Sequence, residues 1–134
     1  MGQTKVVLDT NILISALGWN GKPNRIFQRC IDKELELIIC QEQIEEVLRV
    51  IEYPKFSFTK EQKELFISII LEIATLVEIT GKVDIIKKDP DDNIILEAAL
   101  VGNVCCIVSG DPHLLELKTF ADIKIMTASE FLQS

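Results

Sequence analysis

Five short runs of β-branched and other apolar residues, at 5–8, 35–40, 76–79, 104–108 and 123–126, are separated by stretches with helical periodicity. Strands that alternate with helices pair in parallel through crossovers, and a parallel sheet needs helices over both faces. The alternation predicts an α/β fold: a three-layer sandwich with a central parallel sheet of about five strands flanked by helices.

Local signals place the helices. Thr59 to Gln62 and Thr127 to Glu130 have the spacing of capping boxes, and Pro23, Pro90 and Pro112 suit first turns. Helices are expected near 11–18, 23–32, 42–52, 59–75 and 90–102, then a short one from 112 and a last one at 128–133, with Tyr53-Pro54 ending the third. No repeat, low-complexity tract or linker interrupts the 134 residues. A single domain over 1–134 is therefore expected, and a hydrophobic content of 48% is ample for its core.

The net charge of −7 argues against binding nucleic acid through a broad basic surface. It leaves open a protein that recruits metal ions as its cations. No apolar run approaches the roughly 18 residues of a membrane span, and the first residues do not read as a signal peptide, so a cytoplasmic protein with no membrane contact is expected. Cys30, Cys40, Cys105 and Cys106 lack CxxC spacing and accompany a single histidine, which speaks against a zinc cluster. They read as reduced core thiols, Cys105 and Cys106 pointing to opposite faces of a strand.

In a parallel sheet, ligands sit beyond the carboxyl ends of the strands, near the point where strand order reverses. Acidic residues gather on that edge. Asp9 ends the first strand, Glu45 and Glu46 follow the second, Asp89, Asp91 and Asp92 open the helix before the fourth, and Asp111 follows the fourth. Asp89 and Asp111 also read as helix N-caps, each worth about 1 kcal/mol, and Asp91 or Asp92 would suit a helix dipole. Asp9 has no such local task if Thr10 caps the first helix. Carboxylates packed together repel unless a cation offsets them, and oxygen ligands without His or Cys select Mg²⁺ or Mn²⁺.

These residues resemble the PIN domain family, a small metal-dependent ribonuclease fold (PilT N-terminus-like) that includes many toxins of prokaryotic toxin–antitoxin pairs. "VVLDTNILISAL" looks like its first motif, "IEEVLRVIEYPKF" its second, "DPDDNIILEAAL" its third and "CIVSGDPHLLEL" its fourth. The resemblance implies Asp9, Glu46, Asp92 and Asp111 as the catalytic acids that hold Mg²⁺ or Mn²⁺, with Thr10, Asn11 and Ser109 as polar support. It also implies cleavage of single-stranded or loop RNA, and an antitoxin protein as a partner. Choosing Glu46 over Glu45 follows the family's flanking apolar positions, here Ile44 and Val47; periodicity leaves the choice open, because the stripe Ile44, Val47, Leu48, Ile51 carries neither glutamate. "CQEQ", at 40–43, departs from the serine or threonine that often opens this helix in the family.

Phosphodiester hydrolysis needs an activated water, a stabilised phosphate and an assisted leaving oxygen, all within the reach of divalent ions. No histidine is required, and His113 is expected as a surface residue at a helix terminus. Lys22, Arg25 and Arg29 share a helix face, either as RNA contacts or as a solvated surface. Trp19 reads as a packing residue or a platform for a base. On the long helix Leu65, Phe66, Ile69, Ile70 and Ile73, widened by Ile67 and Leu71, make an apolar arc that suits a homodimer or another partner. A receiver-type phosphoacceptor would need an Asp after the third strand and a Lys after the fifth, where the chain has "VEITGK" and "KIMTAS". A haloacid-dehalogenase-type phosphatase would need Asp-x-Asp where it has Asp-Thr-Asn. The remaining competitor is a catalytically idle module of the same fold that binds RNA or protein.

Overall fold

The computed structural model describes residues 3–87 and 89–134. In chain order the elements are Thr4–Leu8 (β1), Thr10–Gly18 (α1), Lys22–Ile31 (α2), Leu35–Cys40 (β2), Gln41–Val50 (α3), a 3₁₀ turn at Pro54–Phe56, Lys60–Ile73 (α4), Thr75–Val77 (β3), Pro90–Gly102 (α5), Cys106–Val108 (β4), Pro112–Leu115 (α6), Thr119–Phe120 (β5), Ile123–Met126 (β6) and Ala128–Gln133 (α7). The strands form one sheet in the order β3-β2-β1-β4-β6-β5. Every pairing is parallel except that of β5 with β6. The chain builds outward from β1 to β3, then returns to the other side of β1 with β4. The switch point therefore lies between β1 and β4.

Alternation along the strands sorts the core into two layers. Val6, Leu8, Leu37, Ile39, Cys106 and Val108 pack with Leu13 of α1, Phe27 of α2, Val47 of α3, Ile70 of α4 and Phe131 of α7. On the opposite face Val7, Ile38, Ile107 and Ile125 pack with Ile95, Leu96 and Ala99 of α5 and Leu114 of α6. This is the expected three-layer α/β sandwich. Both expected capping boxes form, with reciprocal hydrogen bonds between Thr59 and Gln62 and between Thr127 and Glu130.

Several expectations need correction. The third strand runs over Thr75–Val77 rather than 76–79, because Ala74 ends α4 only one residue earlier. The fourth begins at Cys106, which leaves Cys105 exposed with its sulfur 3.5 Å from that of Cys106. The two thiols are thus in contact, and only three of the four cysteines are core residues. A sixth strand, β5, escaped the sequence reading because its hairpin is turned by Ala121 and Asp122, both at positive φ, without the glycine that marks such turns. Leu48 is 44% exposed, so the buried stripe of α3 is Ile44, Val47 and Ile51.

Residues 78–87, after β3, have no regular structure, yet α5 fastens them. Glu97 accepts hydrogen bonds from the amides of Thr80 (2.6 Å), Gly81 (3.2 Å) and Val83 (3.2 Å). Asn93 accepts from the amides of Ile85 and Ile86, both at 2.9 Å, and donates to the Ile86 carbonyl at 2.7 Å. Burial opposes the charge on Glu97, but the bonds from Thr80, Val83 and Gly81 outweigh it and hold its carboxyl below the usual range.

At the other end of α5, Gly102 lies so close to β2 that an added Cβ would stand 2.6 Å from Cγ2 of the buried Ile38. Gly102→Ala gains helix propensity but overfills this contact. The expected net loss is about 1–3 kcal/mol of unfolding free energy. A denaturant midpoint equal to or above the parental value would contradict that packing.

Candidate functional site

Asp9 follows directly on β1, and its amide still donates to the Val108 carbonyl at 3.0 Å, which fixes it against the end of β4. One carboxylate oxygen accepts from the Ile12 amide at 2.9 Å. Asp9 is therefore the N-cap of α1, the task that the sequence had left to Thr10. Thr10 begins the helix itself, and its hydroxyl donates to Oε1 of Glu46. The other oxygen of Asp9 accepts from the Ser109 hydroxyl. Ser109 in turn accepts from the Asp111 amide at 2.9 Å, so one hydroxyl ties the ends of β1 and β4 together.

Three helices begin here, each capped by an aspartate. Asp89 accepts from the Asp91 amide at 3.2 Å to cap α5, and Asp111 accepts from the His113 amide at 2.8 Å to cap α6. Capping and site formation are thus compatible, since an ionised carboxylate keeps acceptor capacity after one such bond. Asp92, in the first turn of α5, is 6% exposed, and its Oδ2 has no hydrogen-bond partner among the described residues. Asp91, half-exposed, stands at the rim, 4.0 Å from the Arg49 guanidinium.

Asp9, Glu46, Asp89, Asp91, Asp92 and Asp111 together wall a cavity of about 60 Å³, with Thr10 and Asn11 beside them and, among the described residues, no lysine or arginine in the lining. Glu46 faces this cavity, whereas Glu45 is exposed and lines none of it. A water occupies about 30 Å³ of liquid, so the space suits ions and waters rather than a nucleotide. The polar support is two-part: Thr10 serves Glu46 and Ser109 serves Asp9, while Asn11 sits exposed at the mouth. An orphaned buried carboxylate oxygen within an all-oxygen cluster fits a hard divalent cation.

Gln43 was not foreseen. It is 1% exposed, and its amide nitrogen donates to the Leu8 carbonyl at 2.7 Å, while its oxygen has no partner. It lies one turn before Glu46, so two side chains of α3 reach residues on either side of Asp9. His113 lies at the start of α6 with its ring partly exposed, as expected of a helix terminus, but its position beside the acids was not foreseen: its Nδ1 is buried with no hydrogen bond among the described residues, 3.5 Å from Oδ1 of Asp111 and 3.9 Å from Oδ2 of Asp92. The signal available was its place two residues beyond Asp111 in a proline-opened turn.

Lys22, Arg25 and Arg29 do not join this site. All three are exposed on α2, and Lys22 donates to the Ser129 hydroxyl at 2.7 Å. Trp19, 52% exposed, packs against Phe56 and Phe58 in an aromatic group on the surface.

A sequence profile described as PIN domain matches residues 5–113, most of the chain. The chain belongs to the PIN domain family. Its members are typically nucleases and typically bind divalent metals. No curated protein matches the chain in sequence. Among solved structures it is similar to VapBC2 from Rickettsia felis bound to a DNA fragment from their promoter, with a TM-score of 0.62, 17% identity, and coverage of 91% of this chain and 97% of that one. It is also similar to PAE2754 from Pyrobaculum aerophilum, with a TM-score of 0.60, 12% identity, and coverage of 97% and 88%. At these identities the likeness is one of fold. Among the described residues, no helix of this PIN domain is long and apolar enough to cross a membrane.

The carboxyls do not ionise independently. Burial raises the Asp9 carboxyl, against the lowering effect of Ser109 and Ile12, and it raises Glu46 against the bond from Thr10. Asp92 goes furthest, raised to about 8 by burial and then by the charges of Asp111 and Asp89. A carboxyl with a raised folded-state pKa stabilises the fold fully below its ordinary value, 3.8 for Asp and 4.5 for Glu, and loses that contribution as pH rises through the folded value. Glu97 acts oppositely, contributing above 4.5 and losing its effect as pH falls. Thermal melts of the metal-free PIN domain should therefore fall between about pH 5 and about pH 8, and excess Mn²⁺ should flatten the fall. A melting temperature that climbs over that range without metal would contradict the carboxylate arrangement.

Proposed function

We propose that this PIN domain is a Mg²⁺- or Mn²⁺-dependent endoribonuclease that hydrolyses phosphodiester bonds in single-stranded or loop RNA, as the toxin of a toxin–antitoxin pair in the cytoplasm. The observation that carries the reading is the buried Oδ2 of Asp92, which has no partner among the described residues and stands in a wall of carboxylates. Asp9, Glu46, Asp92 and Asp111 would hold the metal. A bound divalent ion supplies a water acidic enough to become hydroxide near neutral pH and offsets charge on the phosphate and the leaving oxygen.

The chain's own groups set the stage. The Thr10 hydroxyl fixes one oxygen of Glu46, and the Ser109 hydroxyl and the Ile12 amide fix the two oxygens of Asp9, whose remaining lone pairs would serve an ion in the cavity. Carboxylate oxygens not engaged in coordination accept the proton of the attacking water. The acid cavity is too small for a nucleotide, but a groove of about 410 Å³ opens beside it, lined by Asn11, Ser15, Asp89, Gly110, Asp111 and His113 among others. That groove would carry the RNA strand past the acids. The negative charge of the chain disfavours long electrostatic contact with a polyanion, which suits recognition of a short unpaired stretch.

The fold likeness to the VapBC2 structure supports an antitoxin as partner. Exposed Leu48, Leu65, Leu71 and Leu76 on α3, α4 and β3 offer apolar surface for it or for a homodimer contact.

Incubation of the purified protein with mixed unstructured RNAs should show cleavage with Mn²⁺ and none in excess EDTA; equal degradation in EDTA would refute metal dependence. Asp92→Asn separates a working site from an idle scaffold. Removing one like charge should leave metal-free stability unchanged or raise it. The same change should weaken Mn²⁺ binding by at least about tenfold and abolish most cleavage. A variant that melts lower without metal, still gains stability from Mn²⁺ and cleaves at the parental rate would sink the assignment.

A further inference from the structure

We infer that His113 is a ligand of the metal ion, through Nδ1, and that it tilts the site towards Mn²⁺ and later transition ions over Mg²⁺. The inference rests on the metal-binding reading of the same acid cluster, and adds to it a nitrogen donor and a selectivity.

Four potential ligand atoms, one each from Asp89, Asp92, Asp111 and His113, lie within 4.8 Å of one another. That spread is close to the diameter of a coordination shell, about twice a bond of about 2.1 Å for a nitrogen or oxygen donor. Within this group Nδ1 of His113 and Oδ2 of Asp92, 3.9 Å apart, are buried and have no hydrogen bond among the described residues. Nδ1 also stands 3.5 Å from Oδ1 of Asp111 without a hydrogen bond between them. A ring nitrogen facing two carboxylates ordinarily donates to one of them, and a buried polar atom left unpaired is costly. A cation between them satisfies both orphans at once, the imidazole giving its Nδ1 lone pair while its proton resides on Nε2.

The position is enforced by the backbone. Asp111 caps α6 by accepting from the amide of His113 itself, so the aspartate and the imidazole are held on the same side of the turn. Pro112 between them fixes φ at the first helical position.

Mixed carboxylate–imidazole sites favour ions later in the first transition series, whereas Mg²⁺ prefers oxygen donors and retains its waters. His113 is the chain's single histidine, so any imidazole signal on a bound ion belongs to it. Pulsed electron paramagnetic resonance of Mn²⁺ added to the whole protein should show modulation from a directly bonded imidazole nitrogen, and His113→Ala should abolish it. Titration should show His113→Ala binding Mn²⁺ at least about tenfold more weakly while Mg²⁺ affinity changes less than about threefold. Mn²⁺ that binds in an Asp92-dependent manner without the nitrogen signal would overturn this inference and leave the acid site standing. Failure of Mn²⁺ to bind at all would overturn both. A nitrogen signal in a protein that cleaves no RNA would support the ligand and reject the nuclease reading.

Discussion

Repulsion among carboxylates at the edge between β1 and β4 is the constraint to which the rest of the structure answers. Six acidic side chains share the wall of one small cavity, and burial already disfavours the charge of Asp9, Glu46 and Asp92. What offsets the repulsion is structural. α1, α5 and α6 begin at this edge, and their first amides take one oxygen from Asp9, Asp89 and Asp111. Helix starts converge there because every parallel crossover leaves its strand at the same end of the sheet.

The site is consequently built on rigid parts. Ser109 spans from the Asp9 carboxylate to the Asp111 amide across two paired strands. α3 is less directly attached, and two of its side chains fasten it: Glu46 through Thr10, and Gln43 through the Leu8 carbonyl. Gln43 does so at the cost of a buried carbonyl oxygen without a partner, a penalty on the order of 1–3 kcal/mol. An apolar residue there would avoid the penalty but leave α3 one tie short.

Much of the architecture was legible in the sequence, because strand–helix alternation, capping boxes and first-turn prolines are local signals. The gathering of acids on one edge was legible for the same reason: it follows from which end of each strand they occupy. What escaped depended on three-dimensional neighbours or on unusual turns. Thr10 looked like a cap, yet its hydroxyl is drawn to Glu46, 36 positions away. The β5–β6 hairpin uses Ala121 and Asp122 at positive φ, where composition announces no turn. Leu48 fits the helical stripe of α3 but lies just beyond the arc that the sheet covers. His113 is partly exposed at a helix terminus as expected, but the approach of its Nδ1 to Asp92 depends on how α6 lies against α5, which no local signal gives.

The clamp that Glu97 and Asn93 place on the segment before α5 makes residues 80–86 part of the α5 rigid body rather than a tether to it. Length changes in connecting segments are normally absorbed as slack. Here slack inserted within 80–86 would have to break bonds to Glu97 or Asn93, whereas the exposed turn at Ala121 and Asp122 has no comparable side-chain fastening among the described residues. The fold can therefore vary in length more readily on the β5–β6 side, while residues 80–86 are held to a fixed number.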